Sequence, residues 1–197
     1  MYADFNLLTT IIIYFSFGSL LLFLFPGKIK KFHKASYYLA ILHQGYVLPF
    51  FAIQHLLGFN NNYRILFTST YSYFLADFFI NRNIWLLDLK FVFHHLITMV
   101  LVSSTIFVKD EDMFLPTMNL LLMETGSLWI SVTDVYPTNL NYKLRFYFYL
   151  LSRLVNLPFN YLLIRSSGEL KNYWIILSIL LYLHNIRIGY YMYTKLR

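Results

Sequence analysis

Two adjacent histidines lie about one helical turn inside an apolar run that extends from Lys90 to Ser104. After Lys90, His94 and His95 are the ionisable residues within that run. An imidazole exchanges protons near neutral pH, and placing one in hydrocarbon is costly unless it has a partner or a function. The pair therefore marks a candidate site for acid–base chemistry. The alternative is that both rings only make hydrogen bonds between packed helices.

The elements that must position these rings are membrane-length apolar segments. Hydrophobic residues make up 58% of the 197 residues and charged residues 13%, whereas charged residues are about a quarter of a soluble domain. This composition predicts an integral, all-α membrane protein. There is no cysteine, which excludes disulfides, thiolate metal sites and cysteine nucleophiles.

Seven apolar runs are each long enough to cross a bilayer core of about 30 Å as a helix. They cover residues 7–25, 35–57, 65–81, 91–108, 113–133, 144–164 and 173–193. The first run lacks preceding basic residues and a small-residue cleavage site, so we expect a retained span rather than a signal peptide.

The basic residues between the runs predict the orientation. With seven spans, ten of the 16 Lys and Arg residues fall on one side and four, including Lys109, on the other. By the positive-inside rule, the amino terminus is lumenal and the carboxyl terminus cytosolic. Because the basic residues lie between apolar runs, the net charge of +7 reflects topology, and no nucleic-acid partner is expected.

The second to seventh runs each carry an ionisable side chain, and most of these fall at a similar depth in the cytosolic half of the bilayer. An ionisable group at this depth must face a bundle interior or a water-filled cavity. The first run offers no such group. We therefore expect six helices around a polar chamber that opens toward the cytosol, with the first helix outside. The expected lining residues are His43, Asp77, His94, His95, Glu124, Ser127, Arg153, Asn156, Asn160 and His184.

Several membrane chemistries do not fit the residues. A retinal protein needs a lysine within its last span, and the nearest, Lys171, is at the edge. Di-iron desaturases need about eight histidines, whereas this chain has six. The elongase pattern His-x-x-His-His requires histidine at the position of Phe91. Bis-histidine haem ligation by His94 with His43 or His184 stays open.

Four segments carry a resemblance to a known family: Tyr73-Phe74-Leu75-Ala76-Asp77-Phe78, Phe93-His94-His95-Leu96, Leu121-Leu122-Met123-Glu124-x-x-Ser127 and Arg153-x-x-x-x-Pro158. In their order and spacing they resemble the TLC family, whose best-known members are the ceramide synthases. The resemblance extends over residues 35–193. It implies a first transmembrane helix and basic loop in residues 1–34, followed by a six-helix TLC-type membrane domain in residues 35–197, located in the endoplasmic reticulum.

The resemblance also implies a reaction. Ceramide synthases transfer an acyl group from acyl-CoA to a sphingoid amine, so acyl-CoA is the implied co-substrate, with no bound cofactor or metal. His94 and His95 are the implied catalytic pair, either with one as a nucleophile or with both as acid and base. Asp77 is expected to orient them or balance their charge.

The chain departs from ceramide synthases in the fifth run. Those enzymes have two aspartates three residues apart, whereas this chain has Glu124 and Ser127. This pattern is closer to the less characterised TLC proteins linked to lipid balance. The alternatives to an acyltransferase are a non-enzymatic lipid-binding, trafficking or regulatory protein and a structural subunit of a membrane complex. The expected partners are a membrane lipid or long-chain acyl substrate and further subunits of the same or another chain.

Overall fold

The computed structural model of the chain describes residues 2–58, 62–105 and 113–194. Residues 106–108, at the end of the predicted fourth run, and Lys109 lie outside these ranges. The described chain divides into two compact units, Met1–Ser103 and Ser104–Arg197. Both are built from helices, as predicted.

In the first unit, helix α1 (Tyr2–Leu24) is followed by a hairpin of two short strands, β1 (Lys28–Ile29) and β2 (Phe32–His33). Next come α2 (Lys34–Leu42), a π-helical segment (His43–Val47) and α3 (Leu48–Leu56) as one continuous helical stretch. Helix α4 (Asn62–Ile80) and a 3₁₀ turn (Arg82–Ile84) precede α5 (Leu89–Ser104). Each predicted run of this unit coincides with a helical stretch.

The π-helical segment has a local cause. Pro49 stands at the start of α3 and has no N–H with which to continue the helical hydrogen-bond ladder. A wider turn immediately before a proline accommodates the missing bond, and π-turns inside α-helices are often found at functional sites. His43 is the first residue of this segment.

Helix α1 packs against α4 and α2 and belongs to the core of the first unit. Its buried face includes Tyr14 and Leu21, which pack with Leu39 of α2 and Phe74 of α4. Apart from Gly18, the other residues of Leu7–Leu24 are half-buried or exposed. The division predicted after residue 34 stays a prediction.

The second unit contains α6 (Phe114–Val135), α7 (Asn139–Ser166), a 3₁₀ turn (Gly168–Leu170) and α8 (Lys171–Thr194). The Thr138 hydroxyl caps α7 by accepting from the Asn141 N–H at 3.1 Å. Helices α6 and α7 approach closely at Gly126, where an added Cβ would lie 1.8 Å from Ser152 Oγ. A residue without a side chain is therefore needed at this crossing.

Two helices in the described ranges are long and apolar enough to cross a membrane. They are Leu7–Leu24, within α1, with a mean hydropathy of 2.2, and α8, with 1.3. Helix α5 is apolar but shorter. Helices α4, α6 and α7 carry acidic or basic side chains within their length, which lower their hydropathy.

Candidate functional site

The first unit joins an aspartate of α4 to a histidine of α5. Asp77 and His95 are 4% and 5% exposed, and His95 Nε2 lies 2.7 Å from Asp77 Oδ2. The other carboxylate oxygen, Oδ1, accepts from the Ser36 hydroxyl of α2 and from Asn81 Nδ2 at 3.2 Å. Both oxygens of the buried carboxylate are thus hydrogen-bonded, as a group removed from water requires.

The hydrogen bonds limit where the protons of this pair can reside. His95 Nδ1 lies 3.0 Å from the Phe91 carbonyl oxygen, which can only accept, so Nδ1 carries a proton. A single proton then remains to be shared between His95 Nε2 and Asp77 Oδ2. The pair is therefore either imidazolium with carboxylate or neutral imidazole with carboxylic acid. Both forms keep the same contacts, so a proton can move between them with little rearrangement.

His94 is adjacent in sequence but differently placed. Its ring is half-buried and nearly perpendicular to that of His95, with the centroids 5.6 Å apart. Consecutive residues of a helix point about 100° apart, which accounts for this divergence. Of the two predicted catalytic histidines, His95 lies with its Nε2 2.7 Å from Asp77. Phe74 lies edge-on to both rings.

His43 lies in a second polar contact of the first unit. It is fully buried, its Nδ1 is 2.6 Å from the Tyr14 hydroxyl of α1, and its ring stacks on Tyr73 at 4.5 Å. Its Nε2 has no hydrogen-bond partner among the described residues. The first helix, which we expect to lie outside the chamber, thus supplies the partner of His43 through Tyr14.

In the second unit, Arg153 of α7 reaches the backbone of α6. Its Nη1 donates to the Met123 carbonyl at 2.7 Å, and its Nη2 donates to Ser127 Oγ at 2.8 Å. The guanidinium carbon lies 4.0 Å from the centre of the Tyr149 ring, a cation–π distance. Two of the predicted lining residues, Ser127 and Arg153, are therefore in direct contact.

The face of α7 that carries Arg153 also makes polar contacts with α8. These contacts are called the polar seam below. The Tyr149 hydroxyl donates to Asn185 Oδ1 at 2.7 Å, and Ser178 Oγ donates to Asn160 Oδ1 at 3.2 Å. Between these pairs, Asn156 Nδ2 lies 3.5 Å from the Tyr182 hydroxyl. Arg153, Asn156 and Asn160 were predicted to share one face of α7. That face is the side of α7 that contributes to the polar seam.

The α8 half was missed. Ser178, Tyr182 and Asn185 recur at intervals of four and three residues, which is the signal of a helix face and was visible in the sequence. His184, which was expected to line the chamber, is half-buried, and its neighbour Asn185 makes the contact with α7.

An apolar cavity of about 510 Å³ lies between α7 and α8. Its polar lining groups are Arg153, Asn185 and the hydroxyls of Tyr149, Tyr182, Tyr190 and Tyr193, whereas the rest of the wall is aliphatic and aromatic. The volume is in the range of about 300–1,000 Å³ that is usual for small-molecule sites. An apolar wall with a few convergent polar groups is suited to an amphiphile.

Glu124 of α6 is also buried, at 5% exposure. It follows Met123, whose carbonyl accepts from Arg153, and both Glu124 and Arg153 are close enough to Tyr149 for their charges to act on it. The second unit thus brings Glu124, Ser127 and Arg153 to one region. The single chamber expected to hold all ten lining residues stays a prediction.

No group of three or more His, Asp or Glu side chains placed to hold a metal ion occurs within residues 2–58, 62–105 and 113–194. Comparisons of the chain with protein-family models, with curated proteins and with solved structures find no match.

Proposed function

We propose that this chain is a multi-pass membrane protein of the TLC type that binds a single lipid or long acyl chain. The observation that carries the proposal is the α7–α8 cavity, where apolar walls meet the buried Arg153 guanidinium. Such a cavity accepts a hydrocarbon chain along its walls and an ester, amide or carboxylate group at its polar end. The resemblance in the four sequence segments supports the same class of ligand.

The distribution of polar residues supports the membrane environment. Asp77, His95, Arg153 and Asn156 are each less than a tenth exposed. Large apolar side chains cover the outer surfaces of the same helices; on α7, outside the cavity, they include Tyr147, Phe148, Leu151 and Leu162. Buried polar groups beneath an apolar exterior are the arrangement expected where the solvent is lipid. We therefore propose seven spans, residence in the endoplasmic reticulum, a lumenal amino terminus and a cytosolic carboxyl terminus.

The lipid-binding proposal is tested by filling the cavity. Gly189 of α8 lines it, and a Cβ added there meets nothing within 4 Å. We expect Gly189→Trp to reduce the lipid that co-purifies with the protein, measured by extraction and mass spectrometry. Ile179→Trp, on an exposed part of the same helix outside the cavity, is the matched control. Equal lipid content in wild type and both variants would refute the proposal.

An acyl-CoA-dependent transferase is the second candidate, and the Asp77–His95 pair favours it. Both ring nitrogens of His95 are hydrogen-bonded, so the ring cannot attack an acyl carbon without giving up a contact. The geometry instead suits acid–base work. In such a reaction the amine nitrogen bonds to the acyl carbon, the thioester C–S bond breaks, and the amine proton passes through the pair to the thiolate.

The lipid-binding protein and the transferase differ in what they require of the His94 and His95 imidazoles. Glutamine keeps a hydrogen-bonding group of similar reach but cannot relay a proton near pH 7. Purified wild type, His94→Gln and His95→Gln are given acyl-CoA and a panel of amines and lysolipids. A transferase loses about 10²- to 10⁴-fold in rate with His95→Gln while lipid still co-purifies. If wild type forms no product with any acceptor, the chain is a binding protein.

The orientation is tested separately. A glycosylation acceptor sequence is added before residue 1 or inserted beside Lys31, and the protein is expressed in a eukaryotic cell. We expect modification at the amino terminus and none at Lys31, because only lumenal segments meet the glycosylation machinery. The reverse pattern would exclude the proposed topology.

A further inference from the structure

A second cavity lies in the first unit, between α1 and α4. Its volume is about 430 Å³, and it has one apolar and one polar end. Phe15 and Leu22 of α1 and Phe79 and Ile80 of α4 form the apolar end. None of these residues belongs to the α7–α8 cavity or to the Asp77–His95 pair.

The polar end of this cavity is cationic. Arg82, Asn83 and His33 line it, and Arg82 makes no side-chain hydrogen bond or ion pair with any described residue. His33 belongs to the β1–β2 hairpin, which also carries the exposed Lys28, Lys30 and Lys31. Burial and then the Lys28 ammonium lower the pKa of His33, so at pH 7 its ring is a neutral hydrogen-bonding group. No acidic side chain is among the described residues that line the cavity.

The segment after Arg82 indicates what surrounds this polar end. Leu86, Leu87 and Leu89 are 94%, 79% and 73% exposed. The segment is held in place by Trp85, whose ring stacks on Phe78 at 4.2 Å and whose Nε1 donates to the Phe78 carbonyl at 2.9 Å. Leucines fixed outward beside a run of basic residues are typical of a segment at the boundary of headgroups and acyl chains.

We propose that the α1–α4 cavity binds one anionic phospholipid. Its phosphate lies at Arg82, with Asn83 and His33 as further donors, and one acyl chain runs along Phe15, Leu22 and Phe79. A guanidinium is well suited to phosphate, because it offers two parallel N–H donors with a full charge. This inference rests on the proposed membrane embedding, but it concerns a site separate from the α7–α8 cavity.

The test measures lipid binding to the full chain purified in detergent, by native mass spectrometry. Phosphatidic acid and phosphatidylcholine with identical acyl chains are the probes. We expect wild type to prefer phosphatidic acid by about 10-fold or more, and Arg82→Gln to lose that preference. Arg187→Gln, which removes an exposed arginine that lines neither cavity, should keep it.

A second pair of variants tests the apolar end. Ser19 lines the cavity, is exposed and bonds only to the Phe15 carbonyl of its own helix, so Ser19→Trp should block the acyl chain without breaking a contact between helices. The neighbouring Leu20→Trp, outside the cavity, is the control. Unchanged headgroup preference in Arg82→Gln, or equal affinities in the two tryptophan variants, would overturn the inference.

Two further outcomes separate the sources of failure. If inorganic phosphate displaces phosphatidic acid at equal concentration, the site recognises phosphate alone and the lipid assignment is wrong. Reconstitution of the same variants into bilayers tests the embedding. If the protein inserts and fills its α7–α8 cavity while Arg82→Gln keeps its preference, this inference fails and the proposed function stands. If wild type does not enter bilayers, the proposed function fails as well.

Discussion

The two units bury charge in different ways. In the first, Asp77 faces a titratable partner, His95, whose Nε2 lies 2.7 Å from Asp77 Oδ2. In the second, the Arg153 guanidinium meets a backbone carbonyl, a hydroxyl and an aromatic face. A carboxylate–imidazole pair can exchange protons, whereas a guanidinium stays charged whatever it contacts. The first unit is therefore suited to proton transfer and the second to holding a polar or anionic group of a ligand.

The largest expected effect comes from breaking the pair in the first unit. Asp77→Ala leaves His95, Ser36 and Asn81 without their shared acceptor, and removing one partner of a buried pair costs about 3–5 kcal/mol. We expect a lower midpoint in detergent-based unfolding followed by circular dichroism. Asp77→Asn should cost less, because its amide oxygen still accepts.

The control for this prediction is Ser19→Ala, which removes an exposed hydroxyl bonded within its own helix and should leave the midpoint unchanged. A stability of Asp77→Ala equal to that of wild type would mean that the pair does not hold α4 to α5.

The helix packing of the second unit is disrupted most directly where α6 crosses α7. Gly126→Ala places a methyl group 1.8 Å from Ser152 Oγ and 2.5 Å from its Cβ, so the helices must separate. Overpacking of this kind costs about 1–3 kcal/mol. The shift should also lengthen the Arg153 contacts with α6. Thermal unfolding of the purified protein measures the loss.

Two variants make this prediction specific. Gly189→Ala, where the new Cβ meets nothing within 4 Å, should be neutral or slightly stabilising, because alanine favours the helix by about 1 kcal/mol. Adding Ser152→Gly to Gly126→Ala removes two of the three clashing side-chain atoms and leaves Arg153 Nη1 at 2.6 Å, so it should recover part of the stability. A Gly126→Ala variant as stable as Gly189→Ala would contradict the close approach of the helices.

The positions of the helices could be predicted from the sequence, because seven long apolar runs leave little choice of secondary structure. Partners within the helices were harder to predict. Their positions along the apolar runs place Asp77 and His95 at a similar depth in the bilayer. Their contact, however, also depends on how α4 is rotated about its axis relative to α5, and hydropathy does not encode that rotation. The π-helical segment at His43 follows from Pro49 and shifts the register of every side chain after it.

The residues that sequence reasoning missed are neutral. Tyr14, Tyr149 and Asn185 are each less than a tenth exposed, as are Asp77 and Arg153. A tyrosine in an apolar run is equally compatible with packing and with hydrogen bonding, so its type alone does not distinguish the two. In contrast, Arg153 was found because it is a charged residue in an apolar run, and Ser127 because the segment that contains it resembles the TLC pattern.

A prediction with a smaller expected effect concerns Tyr149, a neutral residue in contact with Arg153. Tyr149→Phe removes the hydroxyl that donates to Asn185 but keeps the ring beneath the guanidinium. We expect a loss of about 1 kcal/mol, the usual net value of one hydrogen bond. Tyr149→Leu removes the ring as well and should cost more. If the two variants are equally stable, the cation–π contact contributes nothing, which can be read from their unfolding midpoints.

The smallest expected effect concerns an ion pair in the first unit outside the helices. Lys31 of the hairpin contacts Asp88, which precedes α5. Burial raises the pKa of Asp88, but the Lys31 ammonium and the Phe91 and Lys90 N–H groups together outweigh it and hold the pKa below its usual value. The contribution to stability is therefore present above the ordinary pKa of aspartate and is lost as pH falls through the lowered value. Lys31 is half exposed, so the contribution should be below about 1 kcal/mol.

The pair is tested by measuring unfolding of wild type and Lys31→Gln from pH 7 to pH 2. The difference between the two proteins should be greatest near neutral pH, shrink in acid as Asp88 is protonated, and decrease with added salt. Lys34→Gln, which removes an exposed lysine close by in the chain, is the matched control and should follow wild type. A difference that persists undiminished at pH 2 would show that Lys31 acts through contacts other than its pair with Asp88, such as that of its Nζ with the Phe32 ring, whose centre is 5.6 Å away.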